Sequence, residues 1–165
     1  MENVIVAGIV DTRTGEIVET TVNPSAKVRL SLRARDELNA EHGKGTFAVF
    51  EFNSMGGMGN LDYLRRNLRT DNPDALKAVE RLRARYNVAD TERAMERVTA
   101  ELTLTQSVRD ECMAMYEQSG DAQKRAIVED AFSDELDGLQ DELNSLRYQR
   151  AQCLKSLRSL EETAQ

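Results

Sequence analysis

Leucines recur at alternating three- and four-residue intervals along the final stretch of this chain, and that spacing restricts the fold more than any other feature. Leu136, Leu139, Leu143, Leu146, Arg150, Cys153, Leu157 and Leu160 fall on one stripe of a helix, as the a and d positions of four heptads do. At the standard rise, a helix of about 30 residues is roughly 45 Å long. A stripe of that length must be covered, either by another segment of the chain or by another chain. The residues before it offer a cover. A helix over residues 91–118 would carry Met95, Val98, Leu102, Thr105 and Cys112 on its own seam. Ser119-Gly120-Asp121 supplies a stop and a restart between the two. A tethered partner sits at high effective concentration, so the expected arrangement is an antiparallel helical hairpin that can also dock onto other copies. Arg150 interrupts the seam, and a charge there fixes register, pairs with an acid or snorkels to the edge.

The N-terminal third follows a different pattern. Residues 3–10 are β-branched on both faces, as in a strand covered from both sides. The turn-forming run Asp11-Thr12-Arg13-Thr14-Gly15 follows, and then Glu16–Val22 alternates, with Val18 and Val22 on one face and Glu19 and Thr21 on the other. This predicts a β-hairpin. Asn23-Pro24 signals a helix start, Ala26, Leu30, Ala34 and Leu38 recur every four residues, and Gly43 can stop the helix. Val28, Leu30, Leu32 and Ala34 also alternate as in a strand, but only the helix has both end signals. Residues 46–52 read as a third strand, apolar on both faces, with residues 3–10 and 46–52 as the inner strands of a ββαβ-like unit. Its second face needs cover from the C-terminal helices.

Asn53-Ser54-Met55-Gly56-Gly57-Met58-Gly59-Asn60 is glycine-rich and marks the expected boundary. Helical patterns follow it. Asn60 can cap a short helix with Leu61, Leu64 and Leu68. Asn72-Pro73 starts another with Leu76, Val79, Leu82 and Tyr86, and Asp90 can cap the long helix that follows. The expected class is α+β. A small hairpin-containing unit at residues 1–53 and a hinge at 54–60 precede an extended, coiled-coil-like helical region at 61–165. Few aromatics (5%), no Trp and 31% charged residues suit narrow apolar stripes better than a thick core.

Charge is divided unevenly. Residues 1–87 carry a net of +1 and residues 88–165 a net of −8, so nucleic acid and anionic membranes are not expected partners. Seven acids without a base lie within residues 129–142: Glu129, Asp130, Asp134, Glu135, Asp137, Asp141 and Glu142. They read as a solvated face near the start of the last helix. The sharper reading is an acidic face, centred on Asp134, Glu135, Asp137, Asp141 and Glu142, that imitates phosphates and occludes a partner protein. Arg65, Arg66 and Arg69, with Arg81, Arg83 and Arg85, lack aromatic platforms and are expected to pair with acids of the same chain. The loop Met55, Gly56, Gly57, Met58 and Gly59 lacks the Gly-Lys-Ser/Thr ending of a phosphate loop and reads as a hinge or an adaptable partner loop. His42-Gly43-Lys44-Gly45 reads as a loop.

One histidine and no zinc-ligand spacing give catalysis little support, and neither an enzymatic activity nor a cofactor or metal is expected. Cys112 and Cys153 are expected to remain thiols in a reducing cytoplasm. The acidic start lacks a basic signal-peptide region, and no apolar run is long enough to cross a bilayer. These features together predict a non-enzymatic assembly or adaptor protein, a homo-oligomer or part of a larger protein complex. Its size and style suit a bacterial or phage component, in the host cytoplasm or a virion. The alternative is a small acidic inhibitor.

Overall fold

Asp11 and Gly15 close the first turn, because Gly15 takes a φ of +79° and donates its N–H to the Asp11 carbonyl at 2.8 Å. A computed structural model of the chain describes residues 5–22, 27–52 and 70–162. On either side of this turn lie β1 (Ala7–Asp11) and β2 (Ile17–Thr21), paired antiparallel. Helix α1 (Lys27–His42) follows and ends at Gly43, whose φ is +106°. Strand β3 (Phe47–Glu51) then pairs antiparallel with the other side of β1. The sheet order is β2-β1-β3. Two long helices complete the chain, α2 (Pro73–Ser119) and α3 (Ala122–Glu162). The fold is therefore α+β, a three-stranded antiparallel sheet with extended helices.

The sheet corrects one expectation and refines another. With three strands only β1 can be inner, and β3 is an edge strand despite its apolar sequence. Its side chains are buried from above and below: Phe47, Ala48 and Phe50 are all buried. Its outer backbone edge is met by a side chain. The Asn39 amide of α1 donates to the Phe47 carbonyl at 3.1 Å and accepts the Phe47 N–H at 2.9 Å, as a neighbouring strand would. In β2 the register shifts, since Ile9 pairs with Glu19 and Val10 with Ile17, leaving Val18 unopposed as a bulge. The bulge turns Ile17 toward the core and leaves Val18 and Val22 exposed, against the expected Val18/Val22 face.

Val6, Val10, Ala48, Phe50 and Phe52 pack on one face of the sheet against Ala75, Leu76, Val79 and Tyr86 of α2. The cover that the sequence demanded for the second face thus comes from the first turns of α2. Phe52 stacks between Phe50 and Tyr86, with ring centroids 5.3 and 5.6 Å apart. Gly8 lies under the Phe50 ring, where a Cβ would meet Phe50 Cζ at 2.6 Å and the Glu19 carbonyl oxygen. Ala7 and Ile9 point the other way, where α1 lies against β1 and β3. The half-buried Ala34 and Leu38 bear out the helical stripe read for this segment. The Asn23-Pro24 start signal lies outside the described residues.

Asn72 ties the hairpin to the start of α2. Its Oδ1 accepts the Asp74 N–H at 2.9 Å, capping the helix as the Asn-Pro pair predicts. Its Nδ2 donates to the carbonyls of Thr12, at 2.9 Å, and Arg13. Gly15 sits against this helix start, where a Cβ would come within 2.7–2.9 Å of the Asp74 and Ala75 backbone. Downstream, α2 runs unbroken through Asp90, which the sequence offered as the cap of a separate helix. Asn87-Val88-Ala89-Asp90 contains neither Gly nor Pro, and its weak propensities cost only tenths of a kcal/mol per residue.

Chain contacts define two compact units, Met1–Asp90 with Cys153–Gln165 and Thr91–Gln152. The first holds the sheet and its core. The second holds paired segments of α2 and α3.

Candidate functional site

Within Thr91–Gln152, three ion pairs set the direction of the two helices. Glu92 pairs with Arg150 at 2.7 Å, Arg97 with Glu142 at 4.0 Å, and Glu117 with Arg125 at 3.8 Å. The pairs nest one inside another, as they do only when two segments run antiparallel across a turn. That turn is the predicted one. Gly120 takes a φ of +70°, the Ser119 hydroxyl donates to the Tyr116 carbonyl, and Asp121 caps α3 by accepting the Lys124 N–H at 3.1 Å.

The seam residues named from the sequence are buried or half-buried, together with four others of α3. In α3 the buried and half-buried positions are Arg125, Val128, Phe132, Leu136, Leu139, Leu143, Leu146, Arg150, Cys153, Leu154, Leu157 and Leu160, and the rest of the helix is exposed. Leu143 is the one buried member, and the others are half-buried. The stripe extends upstream of Leu136. Ala126, Ile127 and Ala131 are exposed, and the seam enters through Arg125 and Val128 instead. The steps from Arg125 to Val128, Phe132 and Leu136 are three, four and four, an eleven-residue spacing that a strict heptad misses. On α2 the corresponding stripe is Met95, Val98, Leu102, Thr105, Arg109, Cys112 and Tyr116, with Val98 and Thr105 buried. Sequence reasoning missed Arg109 and Tyr116 because both carry polar ends, although their spacing places them.

Arg150 is held by an acid, one of the three roles expected of it. Its Nε and a terminal nitrogen both reach Glu92 Oε1, and each side chain is about two-fifths exposed. Arg85 of the second basic cluster pairs with Glu161 at 3.1 Å, within the first unit, as intramolecular pairing predicts. Arg65, Arg66 and Arg69, like the Met55, Gly56, Gly57, Met58 and Gly59 loop, lie outside the described residues. Both cysteines are free and half-buried.

The acidic face is fully presented. Glu129, Asp130, Asp134, Glu135, Asp137, Asp141 and Glu142 are all exposed. A second exposed set is apolar: Leu104 (65% exposed), Val108 (41%) and Met115 (69%) on α2. An open depression of about 530 Å³ on α2 is lined by Glu92, Met95, Glu96, Thr99, Ala100 and Thr103, without histidine, cysteine or a base among these six. His42 meets the edge of Phe47, with ring centroids 5.6 Å apart, beside Glu41 at 3.9 Å. Among the described residues no three His, Cys, Asp or Glu side chains gather as metal ligands would, and no helix is long and apolar enough to cross a membrane.

The strongest electrostatic perturbation lies in the hairpin turn. Asp11 is buried and takes three bonds from Arg13: the backbone N–H at 2.8 Å, Nε at 3.2 Å and a terminal nitrogen at 2.8 Å. The side-chain bond with Arg13 is the main reason its carboxyl is lowered to about 2. The group is saturated by its own turn, which makes it a fastening and not a free acid.

The described residues comprise a three-stranded sheet with its helical cover and, within Thr91–Gln152, paired helical segments with exposed acidic and apolar side chains. Comparison of the chain with protein-family models, curated proteins and solved structures found no match.

Proposed function

We propose that this chain is a non-enzymatic assembly or adaptor protein that works through the packing of its paired helices, as a homo-oligomer or within a larger protein complex of a bacterium or phage. One observation carries the reading. The Thr91–Gln152 unit buries few of its own side chains yet exposes Leu104, Val108 and Met115 in water, surfaces that a partner would cover. The sheet unit, which also exposes Val18 and Val22, is fastened internally through Asn72, Gly15 and Asn39. The test is mass. Light scattering compares the full chain with one lacking residues 134–165, alone and after incubation with extract of the native source. An assembly protein forms complexes whose mass falls on deletion, and complexes unchanged by deletion sink the reading.

The exposure of all seven acids favours a second reading, an acidic inhibitor that occludes a basic partner. That protein would bind with strong salt dependence and lose binding when Asp134, Glu135, Asp137, Asp141 and Glu142 are neutralised.

A further inference from the structure

Arg97, Leu104, Val108 and Met115 are separated by seven, four and seven residues, so they share one stripe of α2 over five helical turns, about 27 Å. The ion pair between Arg97 and Glu142 shows which flank of α3 this stripe adjoins. On α3, Ala131, Glu135, Gly138 and Glu142 follow at four, three and four residues and form the facing stripe. Counting inward from the Arg97–Glu142 and Glu117–Arg125 pairs brings Leu104 level with the turn Glu135–Gly138. All four of these α3 residues are exposed, and beside Gly138 a Cβ would meet nothing within 4 Å. The two stripes make a shallow groove along one side of the hairpin. Its α2 wall carries Leu104, Val108 and Met115 interspersed with Arg97, Glu101 and Glu111, its α3 wall is acidic, and a glycine lowers its middle.

We infer that this groove seats one amphipathic helix of another protein, with apolar residues on the Leu104–Met115 wall and Lys or Arg on the Glu135/Glu142 wall, completing a three-helix arrangement. This rests on the assembly reading above and names the partner's chemistry. Charge selects the occupant. The Thr91–Gln152 unit holds 14 acids and 7 bases, so a second copy of the unit meets like charge, while a basic helix meets its complement. The apolar side chains of the α2 wall supply what charge alone does not, a requirement that the partner's apolar residues repeat at helical spacing.

Fluorescence anisotropy with the full chain tests this, using two labelled 18-residue synthetic peptides of identical Leu/Lys/Ala composition. One has its leucines on a single helical face, and the other is scrambled. The groove binds the amphipathic peptide at least ~10-fold more tightly, and Leu104→Glu with Met115→Glu removes that preference. Glu135→Gln with Glu142→Gln weakens binding and flattens its salt dependence. Because these positions are exposed, circular dichroism should show the variants folded. Equal binding of the scrambled peptide overturns the proposal, as does indifference to the Leu104/Met115 pair. So does a wild-type dimer that Leu104→Glu converts to monomer, since a second copy would then be the occupant. Complexes from the native source that survive Leu104→Glu with Met115→Glu, yet are lost on deleting residues 134–165, overturn the groove while leaving the assembly reading intact.

Discussion

Asn72 acts on two elements at once, since its oxygen caps α2 while its nitrogen holds the Thr12 and Arg13 carbonyls of the hairpin turn. Replacing it by Ala removes a cap worth about 1 kcal/mol and leaves turn carbonyls to find water, so Asn72→Ala should cost roughly 2 kcal/mol in urea unfolding. The cap was legible in the sequence because Asn-Pro is a local signal. Its second role was not, because the turn it clamps lies some sixty residues away. The Asp11–Arg13 pair behaves similarly: its residues were visible as a turn, the burial of Asp11 only in the fold. Asp11 has a folded pKa of about 2 against an ordinary 3.8, so its stabilising effect is present above pH 4 and lost as pH falls through 2. The gap in urea midpoint between wild type and Asp11→Asn should therefore be widest at pH 5 and above, and should close toward pH 2.

Among the elements, α3 was the most readable, because leucine spacing reports one face of a helix wherever its partner comes from. The places where the reading failed have physical reasons. Propensity at Asn87–Asp90 is too weak to break a helix whose earlier turns are anchored on the sheet. The bulge at Val18 reverses the alternation of β2, and nothing in Ile17-Val18-Glu19 announces it. Arg150 on the seam offers a sharp test. Its pair with Glu92 is about two-fifths exposed on each side and contributes less than about 1 kcal/mol, whereas a leucine burying the same stripe gains about 1.5 kcal/mol or more. Arg150→Leu should raise the melting temperature and loosen oligomeric specificity. A lower melting temperature with an unchanged oligomer would count against this.

Across the whole molecule, burial is uneven. Among the described residues of Thr91–Gln152 only Val98, Thr105 and Leu143 are buried, whereas β1 is buried along its full length. Hydrogen exchange should reflect this: amides of Ile9 and Val10 should open only with global unfolding, and those near Ser119–Lys124 should exchange orders of magnitude faster. Charge division was readable from composition alone. The candidate groove was not, because it requires knowing which flank of α2 adjoins which flank of α3, and a single ion pair, Arg97–Glu142, supplies that.

The amide of Asn39 has a consequence for how this protein avoids its own kind. By occupying both outward backbone groups of Phe47, it denies a passing extended chain a hydrogen-bonded foothold on the aromatic-rich strand Phe47–Glu51. Removing that one side chain should cost modest stability yet open a template, and Asn39→Ala should form thioflavin-positive fibrils at concentrations where the parent stays clear.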